Sequence, residues 1–182
     1  MLFIKEDFGE YTLAAIRELY EEAFPACEKK PFDMITDRRE RGLMEILAVC
    51  DGEEFLGLAI TALMGDIVLL DYFAIMPDKR GSGVGTEALK MLQKRYAGRR
   101  FVLEIEDDAV PADNTEDRIR RKSFYLRCGM DIMPYRVSLF GVEMLILTYG
   151  GAVAYEEYHG LLTSVFSPKV SRYVWLLPQK IN

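Results

Sequence analysis

The sequence predicts an α/β fold: a mixed, twisted sheet of about six or seven strands flanked by about four helices. Three observations carry that expectation. An apolar, β-branched and aromatic run over residues 67–76 leads into a glycine-rich turn and then into a helix-forming run over 86–96. Strand-like runs at 44–50 and 54–63, and again at 131–139 and 142–149, are paired across tight turns at Asp51-Gly52 and at Gly141. Between these runs lie segments whose apolar residues keep helical spacing.

Taken in order, residues 2–4 are short and apolar and read as a first strand. A helix follows over 13–24, with Leu13, Ile16, Leu19, Tyr20 and Phe24 on one face, Thr12 as its expected cap and Pro25 as its stop. Pro25 and Pro31 bracket a loop carrying Glu28, Lys29 and Lys30. Residues 32–42 form a short, charged helix, and 44–63 a hairpin. Met64-Gly65-Asp66 turns into the central strand, which Pro77 ends because it cannot continue the ladder. The helix from Val84 to about Ala97 sends Leu89 and Leu92 toward the sheet and stops at Gly98, with Arg95 and Arg99 suited to the negative end of its dipole.

Residues 100–106 (RFVLEIE) form the next strand, with Phe101, Leu103 and Ile105 on one face and Val102, Glu104 and Glu106 on the other. Two carboxylates on one face of a central strand call for a reason. A polar loop with Pro111, a helix over 116–128 closed by Gly129, and the hairpin of 131–149 complete the pattern. The nearly continuous apolar run VEMLILTY is expected to be central. Beyond it, 155–166 reads as a helix and 173–177 as an added strand; this last stretch holds the only His, His159, and the only Trp, Trp175. His159 is expected to be structural or solvated.

Length and composition narrow the class. The 182 residues suit one domain with a full core, and 50% hydrophobic with 29% charged residues is a globular balance. No window approaches the length of a membrane-crossing helix. The start, MLFIKEDFGE, is acidic and lacks a small-residue cleavage site, so a cytoplasmic location is expected. A net charge of −6 argues against nucleic acid as a general partner. The basic clusters at 38–41 and 118–122 read either as local anion sites or as solvated helix faces. Cys27, Cys50 and Cys128 are odd in number and widely spaced, with no metal or disulfide pattern. Reduced thiols are expected, with Cys50 buried.

The turn at 80–85 has a chemical use. The first backbone N–H groups of a helix lack partners within it, and its dipole is positive there. Glycines let a phosphate approach the backbone, and Arg80 adds charge-assisted hydrogen bonds. The spacing is neither that of the ATP-binding loop nor G-x-G-x-x-G. Arg80-Gly81-Ser82-Gly83-Val84-Gly85 fits R-x-x-G-x-G, behind an apolar strand and Pro77. It resembles the acetyl-CoA signature of the GCN5-related N-acetyltransferases, the GNAT family. Such a turn also serves simply to join strand and helix.

The resemblance covers roughly residues 3–149 and has a second specific part. Tyr125, three residues, then Gly129 and Met130 match the family's Tyr-x-x-x-Gly-apolar helix end. It implies an acyl-CoA N-acyltransferase fold over 1–150, with 151–182 as a C-terminal extension packed on the same domain or at a homodimer interface. It implies acetyl-CoA as acyl donor, held by Phe73, Ala74, Ile75, Arg80, Gly81, Ser82, Gly83, Val84, Gly85 and Thr86. A backbone N–H near Ala74 or Ile75 is the implied oxyanion donor. Tyr125 is the implied acid toward the departing thiolate, since a phenol near pKa ≈ 10 is close to an alkyl thiol. The fourth and fifth strands splay apart in this family, and the acetyl group lies in the gap. Phe24-Pro25-Ala26-Cys27-Glu28-Lys29 is similar to a stretch that helps wall the family's acceptor site. One departure stands out: Arg118 occupies a position where many members carry a cofactor-contacting Asn, so that contact does not carry over. Arg118, Arg121 and Lys122 are candidates to meet the phosphates instead.

An amine acceptor must lose a proton before it can attack, and a carboxylate is the usual base. Glu104 is the first candidate, Asp71 the second and Glu106 the third. Direct transfer through a ternary complex, to the primary amine of a small molecule or of a protein lysine, is the implied reaction. Glu28, Asp71, Glu104 and Glu106 together suit a cationic amine. A longer acyl group, a non-catalytic CoA-binding module, or an interaction protein with a structural glycine turn are the alternatives.

Overall fold

The computed structural model describes residues 1–6 and 9–178. Among these the chain forms eight strands and five α-helices, against the expected six or seven strands and about four helices; each matches a segment read from the sequence. It divides into two compact units, Met1–Leu63 with Leu70–Arg95, and Met64–Leu69 with Tyr96–Asn182.

The first unit holds β1 (Leu2–Lys5), α1 (Glu10–Ala23), α2 (Phe32–Glu40), β2 (Met44–Asp51), β3 (Glu54–Met64) up to Leu63, the later part of β4 (Ile67–Ile75) and α3 (Val84–Arg95). The strands lie in the order β1-β2-β3-β4. β2 pairs antiparallel with both β1 and β3, and a bulge between Val49 and Cys50 precedes the Gly52 turn. β2 is fully buried from Ile46 to Cys50 because both faces are covered: α2 packs against β2, and α3 against β1. Val49, Leu56, Ile75 and Ala88 form one buried cluster, with Leu2, Phe73 and Val84 packed onto it. That cluster seats the start of α3 against the end of β4. The cap of α1 is Gly9, with no side-chain bond, rather than Thr12; Thr12 lies inside the first turn.

In the second unit the first residues of β4 pair in parallel with β5 (Arg100–Glu106), over Ile67–Leu69 against Arg100–Val102. The order continues β5-β7-β6-β8, through β7 (Val142–Tyr149), β6 (Asp131–Leu139) and β8 (Val174–Leu176). The parallel pair beside antiparallel neighbours makes the sheet mixed, as the sequence predicts. β7 lies between β5 and β6, which explains its run of apolar residues. α4 (Thr115–Arg127) packs on β5, and α5 (Tyr155–Val165) follows the sheet. The β6–β7 turn places Phe140 at φ 50 and Gly141 at φ 85. A bulky residue there is an outlier; its N–H bonds Tyr173 O at 2.8 Å and its ring stacks on Tyr173 at 5.1 Å. Among the described residues no helix is long and apolar enough to cross a membrane.

Candidate active site

The glycine turn lies in the first unit. β4 ends at Ile75, and a single 3-10 turn, Pro77–Lys79, carries the chain to Arg80. Gly81 and Gly83 have φ 77 and 91, and a Cβ built on either meets nothing within 4 Å. Both positions need the left-handed backbone that glycine adopts without strain, and both leave open space above the chain. The first helical bond of α3 runs from Glu87 N to Gly83 O at 3.1 Å, so the amides before Glu87 begin the helix without acceptors inside it. Ser82 Oγ donates to Lys79 O at 2.6 Å and closes the turn. Arg80 Nε donates to Ile75 O at 3.0 Å, which pins the guanidinium at the strand's end. These residues fit a pyrophosphate: open backbone, a positive helix end and a tethered cation.

Sequence reasoning missed a supporting residue. A Cβ at Gly57 on β3 would lie 2.4 Å from Ala74 O and 2.8 Å from Ile75 Cδ1. Only glycine lets β3 carry the Ala74–Ile75 backbone at that height. Its position in an apolar strand, FLGLAITAL, is the one signal that could have marked it.

Asp71 also lies in the first unit, with its side chain 4% exposed. Lys30 holds it through both oxygens, at 2.7 and 3.0 Å. The same ammonium stands 5.1 Å from the centre of the Tyr72 ring. Tyr72 OH donates to Glu28 O and accepts from Lys30 N, while Tyr20 OH donates to Lys30 O. Tyr72 packs edge-on against Tyr20 and Phe24 at 4.8 and 4.9 Å. Burial and the neighbouring Tyr72 hydroxyl hold the Tyr20 phenol well above its usual range. The proline-bracketed loop is thus fastened to β4, and Asp71 is its counter-ion.

In the second unit, β5 carries Glu104 and Glu106 on the face predicted for them, both partly buried. Glu106 bonds Arg118 at 2.6 Å and Arg121 at 3.3 Å. Arg118 also reaches Asn114 Oδ1, Asp107 O and Val110 O, and Lys122 grips Asp108 at 2.6 and 2.7 Å. The basic cluster of α4 therefore ties that helix to the β5 end and the loop after it. Glu104 accepts a hydrogen bond from Tyr158 OH on α5. Tyr125, on α4, is half-buried beside Phe124 at 5.0 Å, and burial pushes its phenol up to about 12, with Arg121 pulling the other way. It is a weaker acid here than a phenol in water. Cys50 and Cys128 are buried and Cys27 exposed, all as free thiols; burial pushes the Cys50 thiol up.

The model of the acetyltransferase (GNAT) family matches residues 13–130, more than half of the chain and including both the glycine turn and the Tyr125 helix. The chain belongs to the GNAT acetyltransferase family. It is an acyltransferase, with acetyl-CoA as its donor. Solved structures agree on the fold. A GNAT acetyltransferase from Bacteroides thetaiotaomicron superposes with a TM-score of 0.74 at 22% identity, over 90% of this chain and 98% of that one. The ribosomal-protein-S18-alanine N-acetyltransferase of Escherichia coli gives 0.62 at 18% identity, over 86% and 97%. An aminoglycoside 6'-N-acetyltransferase complexed with coenzyme A gives 0.64 at 15% identity, over 81% and 96%. No curated protein sequence matches the chain.

Proposed function

We propose that this acetyltransferase moves the acetyl group directly to a primary amine of a small molecule within a ternary complex, in the cytoplasm. The observation that carries the donor half is the open glycine turn, with Gly81 and Gly83 at positive φ ahead of α3. Acetyl-CoA, when bound, supplies an activated acyl group. In the first unit, Arg80 and the amides of Ser82, Val84, Gly85 and Thr86 bind its phosphates, and the Phe73–Ile75 backbone aligns the pantetheine arm. A backbone N–H at Ala74 or Ile75 stabilises developing negative charge.

In the second unit, Glu104 accepts the proton that the ammonium of the acceptor must lose, and Tyr125 delivers one to the leaving sulfur. Two of the three thiols are poor acyl carriers, Cys50 through burial and a raised pKa and Cys128 through burial at the C-terminal end of α4; Cys27 is exposed, and its modification is what the assay below looks for. Asp71 is paired with Lys30 and Glu106 with Arg118, while Glu104 accepts a hydrogen bond from the neutral Tyr158 hydroxyl, and we assign the base to Glu104. A homodimer is proposed through the edge bearing exposed Phe140, Tyr173, Trp175 and Leu176; a monomeric mass in sedimentation equilibrium removes it.

The deciding assay is thiol release from acetyl-CoA with a panel of polyamines, aminoglycosides and lysine peptides. Turnover on a small amine, with acetylation of a primary nitrogen shown by mass spectrometry, supports the proposal. Turnover confined to peptides contradicts the small-molecule assignment. A modified cysteine that chases into product contradicts direct transfer.

A further inference from the structure

The face of β5 that carries Glu104 also carries Arg100, and both are engaged by α5. Arg100 binds Glu157 through Nη1 and Nη2, each at 2.8 Å, and Asp66 through Nε and Nη2 at 2.7 and 2.9 Å. Its Nη1 also donates to Ala152 O at 3.1 Å, just ahead of the helix. Glu157 in turn accepts from Ala154 N at 3.0 Å and so caps α5. One guanidinium therefore fixes both where α5 begins and which face it turns to the sheet. The next residue along the helix is Tyr158, which is 0% exposed and whose hydroxyl donates to Glu104 Oε1. The rest of the buried face, Leu161, Leu162 and Val165, is apolar.

A partly buried carboxylate with no donor favours its neutral form, which cannot act as a base. A hydroxyl that donates to the carboxylate favours the ionised form. A carboxylate has about four lone-pair sites, and the Tyr158 hydroxyl takes one of them. Arg100 is divided between Asp66 and Glu157, and Glu106 is held by Arg118 and Arg121 of α4. β7 sets Ile146 opposite Glu104.

We infer that Tyr158, supplied by the C-terminal extension, is a positioning residue that holds the Glu104 carboxylate ionised and in one orientation to take the acceptor's proton. The step is R–NH3⁺ plus carboxylate giving R–NH2 plus carboxylic acid, with Tyr158 keeping its own proton throughout. The inference rests on Glu104 being the base, and the test separates the two.

Glutamate labelled with ¹³C at the carboxyl carbon is introduced into full-length wild type, Tyr158→Phe and Glu104→Gln, the last identifying the Glu104 resonance. Tyr158→Phe removes one oxygen from a packed ring, and its thermal midpoint verifies folding; Glu157→Gln, which loosens the clamp but keeps the hydroxyl, is the second variant. The expected result is a Glu104 titration midpoint raised by about one unit or more in Tyr158→Phe, and by less in Glu157→Gln. An unchanged midpoint overturns the inference, and this arm needs no acceptor.

The second arm measures kcat against pH with acetyl-CoA and spermidine. The acidic limb should move upward by the same interval in Tyr158→Phe, with KM for acetyl-CoA within twofold. Loss of activity in Glu104→Gln, with no movement of that limb in Tyr158→Phe, overturns the positioning role alone. Full activity in Glu104→Gln overturns Glu104 as the base, and the inference with it.

Discussion

The glycine turn at the end of β4 and the carboxylate strand β5 are built in opposite ways. The turn is local. Its Ser82–Lys79 and Arg80–Ile75 bonds span three and five residues, and its glycines lie open, with nothing within 4 Å of a Cβ at Gly81 or Gly83. The strand is long-range. Glu104 is held from Tyr158, and Arg100 from Asp66 and Glu157, so its charges are set by segments 34 to 57 residues away. A site for a ligand with fixed phosphates can be written into a short stretch. A base has to be tuned by its surroundings, and those surroundings come from elsewhere in the chain.

The largest effect that sharpens this contrast is catalytic. Glu104→Gln should lower kcat by about 100-fold or more, the range of a lost general base. Asp71→Asn should change kcat only a few-fold, because Asp71 is occupied by Lys30. Steady-state kinetics on the best amine reads both, and the reverse ranking would move the base to the first unit.

Lys30→Met comes next. It leaves the Asp71 carboxylate, 4% exposed, without its counter-ion. Breaking a buried pair costs roughly 3–5 kcal/mol, but Lys30 is partly solvated, so about 2 kcal/mol is the expected loss in urea denaturation. Gly57→Ala follows, at roughly 1–3 kcal/mol for forced overpacking. Because the added carbon meets Ala74 O, weaker acetyl-CoA binding should accompany the lower stability. Normal binding would show that β4 yields there without consequence.

The smallest effect is the pH response of the α5 clamp. Arg100 holds the Asp66 and Glu157 carboxyls below their usual values of 3.8 and 4.5. Groups with depressed pKa values stabilise the fold above those usual values, and that stability is lost as pH falls through the lower folded ones. The thermal midpoint of Arg100→Met should therefore trail wild type at neutral pH, and the gap should close as pH falls past the usual 4.5 and 3.8 and through the lower folded values.

Much of this was legible from residues alone, for a physical reason. Strand and helix limits follow from local patterning, and most fell within one or two residues of those predicted. R-x-x-G-x-G is legible because its function resides in contiguous backbone. Thr12 reads as the cap of α1 from the sequence because Gly9, which caps the helix in the structure, carries no side chain to announce it. Arg118 shows the other limit. Its basic neighbours suggested an anion site, yet it spends its donors on Glu106, Asn114 and two loop carbonyls. Lys30 with Asp71, and Tyr158 with Glu104, are 41 and 54 residues apart, and no spacing rule connects them.

Calorimetric titration of wild type and an Arg80→Ala, Gly83→Val variant with acetyl-CoA shows whether the turn at 80–85 holds the donor. Wild type should bind saturably, one to one. The variant should bind at least tenfold more weakly, about 1.4 kcal/mol, while remaining folded with a lower thermal midpoint, because valine at φ 91 is strained. Equal affinity in both proteins would contradict that expectation and remove the turn as the phosphate site.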